Sequence, residues 1–103
     1  MLSGNGTILI ADDESYLRES LRELFAAQGY TVLEAGDGTE VMRLLRDSSA
    51  DTILLDLKMP KLDGISTLKA LKKDPELRRI PVVIVTAFGG SEQTIEGMKA
   101  GGL

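Results

Sequence analysis

Four short apolar runs punctuate this chain: Thr7-Ile-Leu-Ile-Ala11, Thr31-Val-Leu-Glu-Ala35, Thr52-Ile-Leu-Leu-Asp56 and Pro81-Val-Val-Ile-Val-Thr86. Runs of this length that do not alternate with polar residues read as strands covered on both faces, the signature of a parallel sheet. Between them the apolar spacing becomes helical. Leu17, Leu21, Leu24 and Phe25 recur through Ser15–Gln28, and Gly29 stops that helix. Asp37-Gly-Thr-Glu40 has the spacing of a capping box, with Asp37 as the cap of a helix that turns Val41, Leu44 and Leu45 inward. Ile65, Leu68 and Leu71 line a third helix that ends before Pro75, with Lys69, Lys72 and Lys73 facing water. After the loop Ala87-Phe-Gly-Gly90, Ser91–Ala100 reads as a fourth helix with Ser91 as cap and Ile95 and Met98 inward. Strand and helix alternate four times with no hairpin signal, which predicts an α/β fold with a doubly wound parallel sheet and right-handed crossovers. Glu14/Arg18 and Glu19/Arg22 are spaced for weak surface pairs. Residues 1–6 read as a flexible tail and residues 7–103 as one domain.

Composition narrows the chemistry. At 43% apolar and 27% charged, the chain is too apolar for disorder. It has no cysteine and no histidine, so disulfides, thiolate or imidazole metal sites and histidine-based triads are excluded. Oxygen-ligand metals remain: Mg2+, Ca2+ or Mn2+. A net charge of −4 disfavours non-specific nucleic-acid binding by this segment. No apolar stretch reaches the roughly 18 residues of a membrane span, and Met1–Gly6 does not resemble a signal peptide, so the expected location is the cytoplasm.

The candidate site is a set of strand ends. Asp12-Asp13-Glu14 follows the first run, Asp56 ends the third and Thr86 ends the fourth. Ligands of open α/β sheets bind outside the carboxyl ends of the strands. With strands one and three adjacent, Asp12, Asp13 and Asp56 share one rim and repel, and a hard divalent cation such as Mg2+ would neutralise them. Thr86 could donate its hydroxyl to a phosphoryl oxygen. Taken singly, each has an ordinary explanation. Asp56 can cap a turn before Pro60, Asp12 and Asp13 suit a helix N-terminus, and Thr86 can cap its own loop. Their coincidence at the ends of three strands favours a site. Neither glycine-rich phosphate-binding pattern occurs, so the ligand expected is a small phosphoryl group rather than a nucleotide.

Three motifs now stand in order: Ile8-Leu-Ile-Ala-Asp-Asp-Glu14, Leu54-Leu-Asp-Leu-Lys-Met-Pro60 with Asp63-Gly64, and Pro81-Val-Val-Ile-Val-Thr-Ala87. Together they resemble the receiver domain of bacterial two-component response regulators, from about residue 7 to the last residue. The resemblance implies a flavodoxin-like fold in which Asp56 accepts a phosphoryl group from a histidine kinase or phosphotransfer protein. It implies Mg2+ held directly by Asp13, Asp56 and the Lys58 backbone carbonyl, and through a bound water by Asp12. Thr86 would then move toward the phosphoryl group, with small Ala87 leaving it room. Phosphotransfer and self-dephosphorylation would be the domain's own chemistry, in the service of a switch that controls an output.

The family pattern continues into a fifth strand, which ends in a lysine followed by proline, and a fifth helix. The expectation is therefore a receiver shortened before both, with neither Lys58 nor Lys99 an assured substitute for that lysine. Such a chain would label slowly and would expose strand four as an edge open to homo-oligomerisation. Two rivals remain open. One is a receiver-derived scaffold without phosphotransfer. The other is an aspartyl phosphatase or phosphotransferase for small molecules, against which Lys58 stands where a further acid is wanted and no cap segment exists.

Overall fold

The computed structural model describes residues 6–59 and 63–85. Its elements are β1 (Thr7–Ala11), α1 (Ser15–Ala27), β2 (Thr31–Ala35), α2 (Gly38–Asp47), β3 (Thr52–Asp56), α3 (Gly64–Lys73), a 3-10 turn at Leu77–Arg79, and β4 (Val82–Val85). Every strand pairing is parallel and the sheet order is β2-β1-β3-β4, the doubly wound arrangement read from the alternation of runs. The tail before Gly6, Pro60-Lys61-Leu62, Thr86, the Ala87–Gly90 loop and the helix expected over Ser91–Ala100 lie outside the described residues.

One face of the sheet carries the larger apolar cluster, while Ile8 and Ile10 of β1 are buried on the other. Leu9, Ile53 and Leu55 are fully buried against Val41 and Leu45 of α2 and Leu68 and Leu71 of α3. Leu44 is half-buried at the margin of the same cluster. Burying one such aliphatic side chain contributes roughly 1.5–3 kcal/mol, so this face fixes how α2 and α3 sit on the sheet. The helix ends agree with the local chemistry. Asp37 Oδ1 accepts the Glu40 N–H at 2.9 Å, while Glu40 Oε1 reaches past the cap to the Gly36 N–H at 2.7 Å, a capping box displaced by one residue. Gly29, at φ 92°, closes α1: its N–H bonds Ala26 O, the Tyr30 N–H bonds Phe25 O, and the Phe25 and Tyr30 rings meet edge to face with centroids 6.1 Å apart.

The other face is held differently. No residue of α1 is fully buried. Leu17, Leu21 and Phe25 form a half-buried stripe, but Leu24, which shares their helical spacing, is 57% exposed because it falls beside that stripe rather than on it. The expected pairs within α1 also give way. Arg18 Nε lies 3.3 Å from Glu34 Oε1 and Arg22 Nε 3.0 Å from Glu34 Oε2. Glu34 sits half-buried on β2 beneath the helix, whereas Glu14 and Glu19 are exposed, and a partly desolvated partner holds a guanidinium better than one in water.

These burials predict opposite outcomes for two leucines. Leu68→Ala should cost about 2–5 kcal/mol of unfolding free energy, and Leu24→Ala should change it by no more than about 0.5 kcal/mol; urea denaturation of the two variants measures both.

Candidate functional site

The site begins with the register of the central strands. Ala11 of β1 pairs with Leu55 of β3, so the residues that follow, Asp12 and Asp56, emerge side by side at the carboxyl rim. Asp12 keeps its place in the ladder, since its N–H bonds the Ala35 carbonyl of β2 at 3.0 Å. Its side chain then turns into the first bend, where Oδ1 accepts the Glu14 N–H at 2.9 Å. Asp56 makes the matching turn after β3, with Oδ1 accepting the Lys58 N–H at 3.1 Å. Asp13, the residue between, is exposed. One carboxylate oxygen from each of Asp12, Asp13 and Asp56 lies within 4.8 Å of the others. The three acids expected at one rim are therefore together. Lys58 is exposed and its amide is committed to Asp56. Thr86 falls outside the described residues.

The electrostatics follow from this crowding. Asp12 is only 6% exposed. Burial pushes its carboxyl above the ordinary 3.8, with Asp13 adding to the shift and the Glu14 amide and Arg18 opposing it. The Asp56 carboxyl is raised too, first by burial and then by the negative charges of Asp12, Asp13 and Glu14, against the pull of the Lys58 amide. The ionised forms are thus held at a cost that a bound cation would relieve. The donors fit a hard divalent ion: all are oxygens, and two oxygens on one Mg2+ span at most about 4.2 Å, so a small side-chain adjustment brings the set into range. A groove lined by Met42, Leu45, Arg46, Asp74, Glu76 and Leu77 includes none of the three carboxylates. It has no part in this chemistry.

Gly64 and Arg18 belong to the site's support, and sequence reasoning gave neither a role. A Cβ on Gly64 would run into the Asp56 carbonyl oxygen and Leu57 Cα, so only glycine lets α3 start against the exit of β3. The Gly64 N–H seals that approach by bonding Leu57 O at 3.2 Å, and Asp63 caps α3 through the Ser66 N–H at 2.7 Å. The available signal for Gly64 was the Asp-Gly pair at a helix start. For Arg18 it was a single charged residue, Glu34, inside a strand.

Comparison with known proteins gives one consistent family. The family profile described as the response regulator receiver domain matches residues 8–103. A probable transcriptional regulator, ycf27 of Guillardia theta, is 35% identical over 94 residues, which is 91% of this chain and 36% of that protein. The polar-differentiation response regulator DivK of Brucella ovis is 37% identical over 91 residues, or 86% of this chain and 74% of that one. Among solved structures, the phosphorylated cyanobacterial phytochrome response regulator RcpA superposes with a TM-score of 0.89 at 30% identity, covering 96% of this chain and 77% of its own.

The raised acids carry a stability signature with a definite sign. The folded state binds protons to Asp12 and Asp56 more tightly than the unfolded chain, so stability falls as pH rises from 3.8 through their folded-state values, and the whole penalty stands at neutral pH. Asp56→Asn should therefore raise the melting temperature at pH 7 by a few degrees, on the order of 1 kcal/mol or less. The advantage should vanish below pH 3.8, where Asp56 is protonated in both states. Melting curves across pH, without added divalent cation, test this.

Proposed function

This chain belongs to the response regulator receiver domain family, and on that premise we propose that Asp56 accepts a phosphoryl group from a histidine kinase or phosphotransfer protein. The observation that carries the proposal is the set of Asp12, Asp13 and Asp56 within 4.8 Å of one another at the rim of a parallel sheet. The Lys58 amide holds Asp56 through Oδ1 and leaves Oδ2 as the attacking oxygen. A bond forms from that oxygen to phosphorus while the P–N bond to the donor's imidazole breaks, and the imidazole leaves with the electron pair. Water later cleaves the acyl phosphate to inorganic phosphate and the free carboxylate, so the signal limits itself.

Asp13, Asp56 and the Lys58 carbonyl are the proposed direct ligands of Mg2+, and Asp12 its water-mediated one. When bound, the ion supplies positive charge that offsets the carboxylates and the transferring group. Thr86 is the proposed switch hydroxyl. Phosphorylation of a 30% identical relative supports the reading. The net charge of −4 supports a domain that leaves nucleic acid to other segments, and no described helix is long and apolar enough to cross a membrane. A cytoplasmic location is part of the proposal.

Self-association is part of it as well. Among the described residues β4 pairs with β3 on one side, and its Val83 is 37% exposed. A β-branched strand without charge is a poor free edge, and a second copy's β4 would satisfy it. Sedimentation over a concentration series should show a dimer that a Val83→Lys substitution weakens; a monomer at every concentration would remove the edge-pairing reading.

Incubation with Mg2+ and acetyl phosphate, followed by intact mass measurement, tests the phosphoacceptor. One phosphoryl adduct is expected on the parent chain and none on Asp56→Asn. An equal adduct on that variant would assign the chemistry elsewhere. Asp13→Asn should weaken Mg2+ binding roughly tenfold, about 1.4 kcal/mol, as read by calorimetric titration.

A further inference from the structure

We propose that Arg18 is a positioning residue for the acidic rim, orienting the Asp12–Asp13 peptide so that both carboxylates can serve one cation. The inference rests on the Mg2+ reading above and adds a residue to it. Arg18 Nη1 donates to the Asp12 carbonyl oxygen at 2.6 Å. That carbonyl belongs to the peptide joining Asp12 to Asp13, so its direction sets where the Asp13 Cα and carboxylate go. The Asp12 N–H is held on the other side by Ala35 O and its Oδ1 by the Glu14 N–H. Arg18 supplies the remaining restraint.

The guanidinium is itself fixed from below. Arg18 Nε sits 3.3 Å from Glu34 Oε1, with side-chain exposures of 19% and 28% for the two residues, and Arg22 takes the other oxygen, Oε2, at 3.0 Å. Glu34 pairs across the sheet with Ile10, two residues before Asp12. One strand thus carries the carboxylate that anchors the arginine, and its neighbour carries the loop that the arginine holds. Charge alone argues the reverse of positioning. A cation this close to the acids, which lowers the Asp12 carboxyl's affinity for protons, should also repel Mg2+. Removing it would tighten metal binding if charge were its only effect. Positioning predicts a loss, so the sign of the change decides between them.

The test is calorimetric titration of the full chain with Mg2+, alongside melting temperatures and amide chemical shifts of the metal-free protein. Arg18→Met should weaken binding about tenfold, the usual scale for removing a group that orients a ligand, and should shift the Asp13 and Glu14 amides. Arg22→Met, which loses an ion pair to the same Glu34 but makes no contact with Asp12 in the structure, should stay within about twofold of the parent. Arg18→Lys keeps the charge but cannot span the carbonyl and Glu34 together; it should lose affinity by a smaller factor and carries the test if Arg18→Met does not fold. Unchanged or tighter Mg2+ binding in the Arg18 variants would overturn the inference while leaving the site intact. An absence of Mg2+ binding in the parent chain would overturn the cation reading, and this inference with it.

Discussion

The parallel pairing of β1 with β3 is the constraint on which everything else depends. Side-chain direction alternates along a strand, so a slip of one residue would send Asp12 or Asp56 to the opposite face and disperse the site. The register Leu9↔Ile53 and Ala11↔Leu55 is held because those four side chains all belong to the buried face under α2 and α3. Hydrophobic packing therefore positions a polar site. Gly64 extends the same logic beyond the strand, since α3 can approach the β3 exit only where no side chain intervenes.

The two sheet faces divide the labour. The α2/α3 side is densely apolar and sets the register, while the α1 side is secured in part by a clasp of Arg18 and Arg22 on Glu34. An exposed ion pair contributes little to stability, and these are only partly buried. Their value lies in direction: guanidinium geometry is planar and forked, so Arg18 can hold a carboxylate on β2 and a carbonyl on the acidic loop together. An apolar contact could hold α1 to the sheet equally well, but it could not orient a peptide.

How much of this was legible in the chain depended on whether the cause was local. The strands were, because short apolar runs bounded by turn residues need no distant partner to be read. Even the one boundary that moved has a local cause: Pro81 has no N–H for the ladder and stays outside β4, though its carbonyl still accepts the Ile53 N–H at 3.0 Å. The convergence of Asp12, Asp13 and Asp56 was legible once strands one and three were taken as neighbours. The partner of Arg18 was not, because Glu34 lies sixteen residues away and an acid four positions earlier, Glu14, offered a local alternative. Gly64 reads in the sequence only as part of a motif, since a glycine's necessity depends on what a Cβ would strike. Leu24 shares the helical spacing yet is exposed, because spacing shows that a stripe exists but not which of its residues meet the sheet.

The repulsion within the rim gives the site its leverage. Asp12 follows β1 and Asp56 ends β3, and the packing of these central strands keeps the two backbones side by side, so the crowding that raises both carboxyls does not relax through the sheet. It is relieved by protonation, by a bound cation, or by movement of the side chains and of the segments that follow the strands. A ligand at free concentration L that binds only the folded state adds stability as RT ln(1 + L/Kd), and one that binds one arrangement of those segments better than another shifts the population toward it. A two-state element needs this kind of bias, in which the rigid part stores the cost and the adjoining loops respond to its relief. Under the proposed function, phosphorylation of Asp56 replaces a carboxylate with a larger and more highly charged group at the point where the sheet cannot yield. The response must then pass outward into the loops, which is the behaviour a switch requires.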